Sequence, residues 1–481
     1  MALPGESIPA PSVWRATWPS RVAGGGGRAA EICTLAFFFI LYTNLAVVAV
    51  RYHGVPQILG AAFALLLLVP LVRHVVIQRE RFVVTPALPF VFAFLGALFL
   101  SATLSSEPQL ARGALPLYLS EGLLLYLLVS NAVRTTRILN RVVWILILAG
   151  SLLGALSVYQ ELTHSYANDF GGFAQVDRFE TGGGFNIAPE SEDKVLRPRL
   201  GGPLGSENRY AQILAVLLPL ALVRAFREPS RRLRLLAAGG SLLITGGILL
   251  TFSRGAAVGL AATLVLIVLF REIRVRHLAL LLAVLTAVVL FVVPDYVVRL
   301  GSLEGATASP LSAESSDDVD SAILGRQTEN RAAWQTFLDH PLVGVGPGVY
   351  FREYSREYAN RLGLRYLGSE RRAHSLYLEL AADTGMLGLG AFLGMVGATM
   401  IYLYRSARQW RPHDPQRAML ASSFFFALVA YLTTAAFLHL SYQRYFWVLL
   451  GLANAVIWTL RREAEDQLEE RRPEASSASP A

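Results

Sequence analysis

Apolar segments of about twenty residues recur along most of the chain, separated by polar connections. Each is close to the length that a helix needs to cross the hydrocarbon core of a bilayer. The pattern predicts an all-α fold, that of a polytopic helical membrane protein with about twelve transmembrane helices. The predicted spans are residues 32–50, 57–77, 84–104, 114–130, 139–162, 206–226, 233–252, 255–271, 277–298, 375–404, 418–438 and 443–460.

The charged residues orient these spans. Alternate connections are rich in arginine, whereas the short connections between them carry few cations. Because arginine-rich loops stay on the cytoplasmic side, the pattern predicts that both termini are cytoplasmic. The two longest polar connections, 163–205 and 299–374, then lie on the opposite, periplasmic side. The arginine-rich connections are residues 73–81, 131–141, 224–234, 271–276 and 404–417.

The same pattern divides the chain into seven regions. The first is expected to be a disordered cytoplasmic tail, because it is polar and contains prolines and a run of four glycines. No apolar core with a cleavage site follows a basic start, so a cleaved signal peptide is not expected. The regions are the tail 1–30, N-terminal spans 31–162, periplasmic loop 163–205, central spans 206–298, large periplasmic loop 299–374, C-terminal spans 375–461 and cytoplasmic tail 462–481.

Composition narrows the function classes. The chain is 54% hydrophobic and 16% charged, with a mean hydropathy of +0.45, which is too apolar for a soluble multidomain protein. The net charge of +8 comes from arginine clusters between apolar runs, so it indicates topology rather than nucleic-acid binding. A single Cys33 excludes an intramolecular disulfide and a cysteine-based zinc cluster. Since no metal-binding motif or nucleotide-binding βαβ unit occurs, we expect neither a metal nor a cofactor.

Charged residues in the stretch "ERRAHSLYLELAADTGMLGLGAF" (370–392) indicate a site at the outer end of the tenth span. His374 follows Arg371 and Arg372, while Glu379 and Asp383 are four residues apart on one helical face. Carboxylates in an apolar span are costly unless they face the protein interior or a wet cavity. The alternative is that both carboxylates only pair with structural arginines.

Two other stretches place arginines at the same predicted face. "TFSRGAAVGL" puts Arg254 at an outer turn between two spans, where it needs a carboxylate or a bound phosphate as partner. "RPRLGGPLGSENRYAQ" puts Arg199, Asn208 and Arg209 around the start of the sixth span, where a helix N-terminus attracts anions. A purely structural helix cap explains this second stretch equally well.

The large periplasmic loop contains an ordered part. "RQTENRAAWQTFLDHP" (326–341) has the spacing of a helix that ends at Pro341. "GVGPGVYFREYSREYANRLG" (344–363) predicts a glycine turn followed by an amphipathic helix.

Four of these stretches together resemble the O-antigen ligase and polymerase superfamily. They cover roughly residues 195–405, and their order and placement are more specific than any one of them: "GPLGSENRYAQILAVLLPL", "TFSRGAAVGL", "ENRAAWQTFLDHPLVGVGPGVY" and "AHSLYLELAADTGMLGLGAF". The resemblance implies an enzyme of the bacterial inner membrane that takes a glycan from undecaprenyl diphosphate. It transfers the glycan at the periplasmic face to lipid A-core or to another glycan, without nucleotide or metal.

The resemblance also implies roles for single residues. His374 matches the catalytic histidine that precedes a late span, and Arg254 matches a serine-arginine-glycine motif. Arg331 best matches the loop arginine ahead of a tryptophan, here Trp334, but its spacing is tight by one residue, so Arg326 is a rival. The basic cluster would bind the lipid diphosphate, and Glu379 and Asp383 would line or brace the site.

Three questions stay open at this point. Ligases and polymerases share these motifs, and a related peptidoglycan-type or protein-directed glycan transferase fits them too. A transporter for lipid-linked cargo also uses intramembrane charges, but these would spread along a path rather than gather at one face. The glycan, the acceptor and the oligomeric state are not encoded in any pattern that we can identify.

Overall fold

A computed structural model describes residues 26–177, 198–273, 276, 321–363, 371–439 and 443–477. The predicted ninth span and the acidic stretch before residue 321 lie outside this part of the chain. The described residues are mostly helical. Their α-helices are α1 Gly26–Tyr42, α2 Leu45–His53, α3 Gln57–Ala62, α4 Leu68–Val72, α5 Leu88–Leu104, α6 Pro108–Leu117, α7 Leu125–Ala132, α8 Thr136–Leu162, α9 Glu207–Arg227, α10 Arg231–Leu249, α11 Arg254–Leu269, α12 Ser321–Asp339, α13 Ser355–Arg361, α14 Leu376–Trp410, α15 Pro415–Ala435 and α16 Gln443–Ser477.

Several of these helices suit a membrane. Within the described ranges, six helices are long and apolar enough to span one; one of them is the continuous stretch Pro108–Ala132, which includes α6 and α7. The bent pair α1–α2 makes a seventh if it counts as one span. Three further apolar helices are shorter: Phe63–Ile77, Leu88–Leu104 and Arg254–Leu269. The polytopic helical class is therefore confirmed, and the count of twelve spans stays a prediction.

Helix α9 forms the centre of the bundle. It packs against α10 on one side and α15 on the other, and most of its residues are buried, including Arg209 and Arg224. Two polar caps fix the starts of neighbouring helices. Ser253 accepts a hydrogen bond from Ala256 N at the start of α11, and Asp414 accepts from Gln416 N and Arg417 N at the start of α15. Ser253 therefore fixes the start of α11 at the turn after α10, and Asp414 fixes the start of α15 in the predicted cytoplasmic connection 404–417.

The first long connection contains a short antiparallel sheet that the all-α prediction missed. Strand β1, Gln175–Asp177, pairs with β2, Arg199–Gly202. Leu200 N also donates to Leu250 O at the end of α10, 3.3 Å away. Strands of three and four residues are too short to show an alternating pattern in the sequence. Their effect is to hold the chain against the turn between α10 and α11.

Helix α14 is broken at Gly385, whose φ of 63° and ψ of −163° are not helical. The loop before residue 350 fills the break: Met386 N donates to Pro341 O (2.8 Å) and Leu387 N to Leu342 O (3.2 Å). A Cβ on Gly385 would come within 2.3 Å of the carbonyl of Leu342, so only glycine fits this crossing. The outer half-helix, from Leu376 to the break, therefore belongs structurally to the loop as well as to the span.

Candidate active site

The turn between α10 and α11 presents Arg254 as the first residue of α11, where it is 8% exposed. Ser253, which caps α11, donates from Oγ to Asn208 Oδ1 at 2.7 Å. A Cβ on Gly255 would lie 2.8 Å from Phe437 Cβ, so this helix start packs tightly against the segment that follows α15. Arg254 is thus held near the outer ends of α9 and α15.

Arg199 and Asn208 complete a ring of contacts behind this turn. Asn208 Nδ2 donates to Glu207 Oε1 (2.9 Å), and Arg199 Nη1 pairs with the same carboxylate at 2.7 Å. Arg199 Nε also donates to Thr251 O at 3.0 Å. In this arrangement both predicted binding residues brace the turn, because each is engaged with protein groups on two sides.

Arg209, the next residue of α9, reaches a second cluster. Its Nη2 lies 2.8 Å from Nδ1 of His439, in the segment after α15. Since arginine only donates, Nδ1 of His439 is the acceptor in this contact, and its imidazole is neutral. Burial and the Arg209 charge also lower the pKa of His439. Arg209 further lines a narrow cavity with Tyr42, Leu204, Gln212, Ile213, Val216, Tyr431 and Tyr445.

His374 stands beside His439, immediately before α14. The two rings are 6.2 Å apart between centroids and nearly perpendicular. On the other side, Nε2 of His374 lies 3.1 Å from Oε2 of Glu329, a buried residue of α12. The site thus joins the segment before α14, the segment after α15, and helices α9 and α12.

The charges around His374 are mostly positive. Burial and three nearby guanidinium groups lower the pKa of His374 to about 4. Burial also raises the pKa of Glu329 to about 7, although Arg371 and Arg326 oppose that shift. The imidazole is therefore neutral near pH 7, with its lone pair available for a proton. The three groups that act on His374 belong to Arg326, Arg209 and Arg371.

The two rival loop arginines lie on different faces of α12. Arg326 is one turn before Glu329 and acts electrostatically on both His374 and Glu329. Arg331 is exposed to solvent, as is Trp334 beside it. The geometry therefore favours Arg326 over the better sequence match, Arg331, as the arginine that serves the site.

Arg372 and Glu379 form an ion pair below this cluster. Arg372 Nη1 donates to Glu379 Oε1 at 2.8 Å, and the guanidinium also lies over the ring of Phe351, 4.7 Å from its centroid. Glu379 is 4% exposed, and its Oε2 has no hydrogen-bond partner among the described residues. One carboxylate oxygen is thus left for another donor within a buried, arginine-rich region.

The carboxylates of Asp383 and Glu379 have different partners, although both residues lie on α14. Asp383 accepts hydrogen bonds through its carboxylate from the backbone N–H groups of Gly348 (2.9 Å) and Tyr350 (3.2 Å). Its backbone carbonyl accepts from Ser101 Oγ at 2.7 Å and from Gly346 N at 2.9 Å. Asp383 therefore braces the glycine turn, and its carboxylate oxygens are already used.

Sequence reasoning missed two members of the cluster. Glu329 sits 45 positions before His374, and no spacing rule connects a loop helix to a later span. His439 lies in the segment after α15, where a histidine usually needs no explanation beyond an interfacial position. A signal existed for Glu329 alone, since with Arg326 it makes an i,i+3 pair on one face of α12.

The arrangement has the parts needed for a displacement on an anionic leaving group. Arginines from three chain segments supply fixed positive charge, and a neutral imidazole supplies a base. In the described ranges, no three His, Cys, Asp or Glu side chains are grouped so that they could hold a metal ion. The guanidinium groups are the positively charged groups that this cluster offers to a phosphate.

Residues 239–393 match the family model described as O-Antigen ligase. The matched segment includes Arg254, Arg326, Glu329, His374 and Glu379. No curated protein matches the chain.

Proposed function

We propose that the protein is a glycan transferase of the O-antigen ligase and polymerase superfamily. The match of residues 239–393 to the family model described as O-Antigen ligase supports this proposal. In this proposal the donor is a glycan on undecaprenyl diphosphate. The acceptor is a hydroxyl group, of lipid A-core for a ligase or of a second glycan for a polymerase. The reaction takes place at the periplasmic face of the bacterial inner membrane.

The observation that carries the proposal is the gathering of His374 with arginines from separate elements. Arg209 comes from α9 and Arg326 from α12, while Arg371 precedes α14, and each of them acts on His374. Their convergence on one neutral imidazole is not required by topology, because arginines at a periplasmic face oppose the usual charge bias. A transporter is expected to spread its charged groups along a path through the membrane rather than gather them at one face.

The proposed reaction is a displacement at the anomeric carbon of the donor. The acceptor oxygen forms a bond to that carbon while the bond between the carbon and the phosphate oxygen breaks. His374 takes the proton of the acceptor hydroxyl, and undecaprenyl diphosphate leaves with the bonding electrons. Guanidinium groups stabilise the charge that develops on the departing phosphate, and they bind phosphate oxygens bidentately. Arg254, Arg326 and Arg209 are proposed for this role.

We further propose that the reaction needs no metal ion, because the arginines supply the positive charge. Guanidinium groups retain their charge at every physiological pH and are already oriented before the donor arrives. Arg372 and Glu379 then support the site from below, while Arg199 and Asn208 hold the turn that presents Arg254.

Transfer by the purified protein tests this function. The protein would be reconstituted in vesicles with a lipid-diphosphate-linked glycan and one of two acceptors, lipid A-core or a second lipid-linked glycan, in the presence of EDTA. We expect a product with one of the two acceptors, and the acceptor that reacts distinguishes ligase from polymerase. If the donor only crosses the vesicle membrane and no glycosidic bond forms, a transporter replaces the proposal. If transfer occurs only after magnesium is added, the metal-independent part is wrong.

A further inference from the structure

We infer that Glu329 is a positioning residue for His374, and that Nδ1 of His374 is the atom that receives the acceptor's proton. The inference rests on the proposed function and deepens it by assigning the tautomer of the base. Glu329 acts through the imidazole and has no contact with substrate in this scheme.

The geometry around Glu329 supports such a role. Oε2 of Glu329 lies 3.1 Å from Nε2 of His374, and Glu329 is 4% exposed. The backbone carbonyl of Glu329 accepts a hydrogen bond from Tyr350 Oη at 2.8 Å, which fixes this turn of α12. Oε2 is within hydrogen-bond distance of Nε2 but lacks the alignment of a complete hydrogen bond. Contacts of catalytic groups are often loose without substrate and tighten when it binds.

The contact selects one tautomer. An ionised carboxylate only accepts hydrogen bonds, so Nε2 must carry the proton when it faces Glu329. The lone pair then resides on Nδ1, which is buried and has no hydrogen-bond partner among the described residues. A general base needs a lone pair that no protein donor already occupies. Nδ1 meets this condition, whereas Nε2 carries the proton in this tautomer and has no lone pair to offer.

The surrounding charges explain why a carboxylate is needed. When His374 accepts a proton, an imidazolium forms among the guanidinium groups of Arg326, Arg209 and Arg371, all of which disfavour it. Glu329 is the carboxylate in contact with the ring and offsets part of this repulsion.

The other neighbours do not replace Glu329. His439 is neutral and accepts from Arg209, and Arg372 is paired with Glu379. Among the described residues, no other negatively charged group contacts Nε2 of His374. Without Glu329, the imidazole of His374 would therefore be a weaker base, and no carboxylate would orient its ring.

The substitution Glu329→Gln tests the inference through the pH dependence of transfer. Glu329 has a pKa raised to about 7, so its carboxylate ionises as the pH rises through 7 and the active form accumulates. His374, with a pKa of about 4, stays neutral throughout this range. We expect the single-turnover rate of the wild type to rise roughly tenfold from pH 6 to pH 8.

In Glu329→Gln we expect this rise to disappear and the rate at pH 8 to fall by about ten- to a hundredfold. Donor binding should change less than twofold, because Glu329 does not contact the diphosphate. The control is Asp339→Asn on the same helix, whose carboxylate accepts from Tyr358 Oη at 2.7 Å and pairs with Arg361 at the surface. It should keep the tenfold rise.

Nitrogen-15 NMR of the ligand-free protein gives a readout that does not depend on activity. The His374 signal, assigned by its loss in His374→Ala, should show the Nε2–H tautomer at pH 8. An Nδ1–H tautomer, or a Glu329→Gln enzyme with the wild-type rate and pH profile, overturns the inference while glycan transfer stands. An Nε2–H tautomer in a protein that transfers no glycan upholds the pairing and refutes the proposed function instead.

Discussion

Two buried carboxylates, Glu272 and Glu329, lie at opposite ends of the helical bundle and differ in how fully their oxygens are hydrogen-bonded. Glu272, at the predicted cytoplasmic end, is 6% exposed and has both oxygens occupied. Oε1 accepts from Arg411 and from Ser422 Oγ, and Oε2 accepts from Arg227. Glu329 is equally buried, but its Oε2 has only the loose contact with His374.

We interpret the group around Glu272 as a structural ion cluster and the group around Glu329 as a candidate catalytic site. Buried polar atoms normally have hydrogen-bond partners, since a missing partner costs free energy. Around Glu272 every oxygen has one. At the outer end, Glu329 Oε2, His374 Nδ1 and Glu379 Oε2 are buried without a partner in the residues described. His374 Nδ1 and Glu379 Oε2 can accept hydrogen bonds from hydroxyl groups of a substrate, and the neighbouring arginines can bind its negatively charged groups.

The largest effect that the comparison predicts is the loss of His374. In His374→Ala, transfer should fall by about a hundred- to ten-thousandfold, because the acceptor loses its base. Donor affinity should stay close to that of the wild type, since the arginines remain. Single-turnover transfer and donor binding are measured on membrane-inserted protein. Transfer at a near-normal rate would move the role of base to Glu379.

The second prediction concerns the structural cluster. Glu272→Gln should lower the free energy of unfolding by about 2–3 kcal/mol, because Arg227 and Arg411 both lose the negative charge of the Glu272 carboxylate. The value is below the usual cost for fully buried pairs, since both arginines also reach solvent. Unfolding in denaturant gives the stability, and transfer per folded molecule should be unchanged. Asp466→Asn, at an exposed position on α16, is the control.

A specific loss of transfer in stable Glu272→Gln protein would contradict the division between the two ends. It would show that the inner cluster takes part in function even though its oxygens are satisfied.

The smallest effects separate the two arginines of α12. Arg326→Ala should reduce donor affinity and transfer, together by about ten- to a hundredfold, because it removes a charge-assisted contact to phosphate. Arg331→Ala should change both by less than twofold, because its side chain is exposed. Each variant is the other's control for helix stability. The reverse ranking would restore Arg331, the better sequence match, to the site.

The sequence predicted much of this outer end, because local patterns carry it. Apolar periodicity located most span boundaries within a few residues, but α16 continues beyond the predicted end at residue 460 to Ser477, and the first predicted span is the bent pair α1–α2. The short turn before α11 placed Arg254 at the start of that helix. The position of His374 before α14 followed from the cluster of basic residues there.

What the sequence did not predict depends on packing between distant segments. The contact of Glu329 with His374 requires α12 to dock on the outer half of α14, and no spacing expresses that docking. Arg331 was preferred because of its distance from Trp334, whereas the orientation of α12 about its axis decides which arginine faces inward. The break at Gly385 follows from the approach of Leu342, which lies 43 residues earlier in the chain.

That break limits how the protein could be re-engineered or could exchange parts with relatives. The segment 341–350 bonds to both sides of Gly385 and, through Ser105 Oγ and Val345 O (2.5 Å), to the end of α5. Grafting a foreign outer loop onto these spans would therefore leave backbone groups of α14 and the hydroxyl of Ser105 without their present partners. A chimera that preserves these contacts would have to carry three pieces together, residues 101–105, 321–363 and 371–387, so these pieces can be exchanged only as one discontinuous unit.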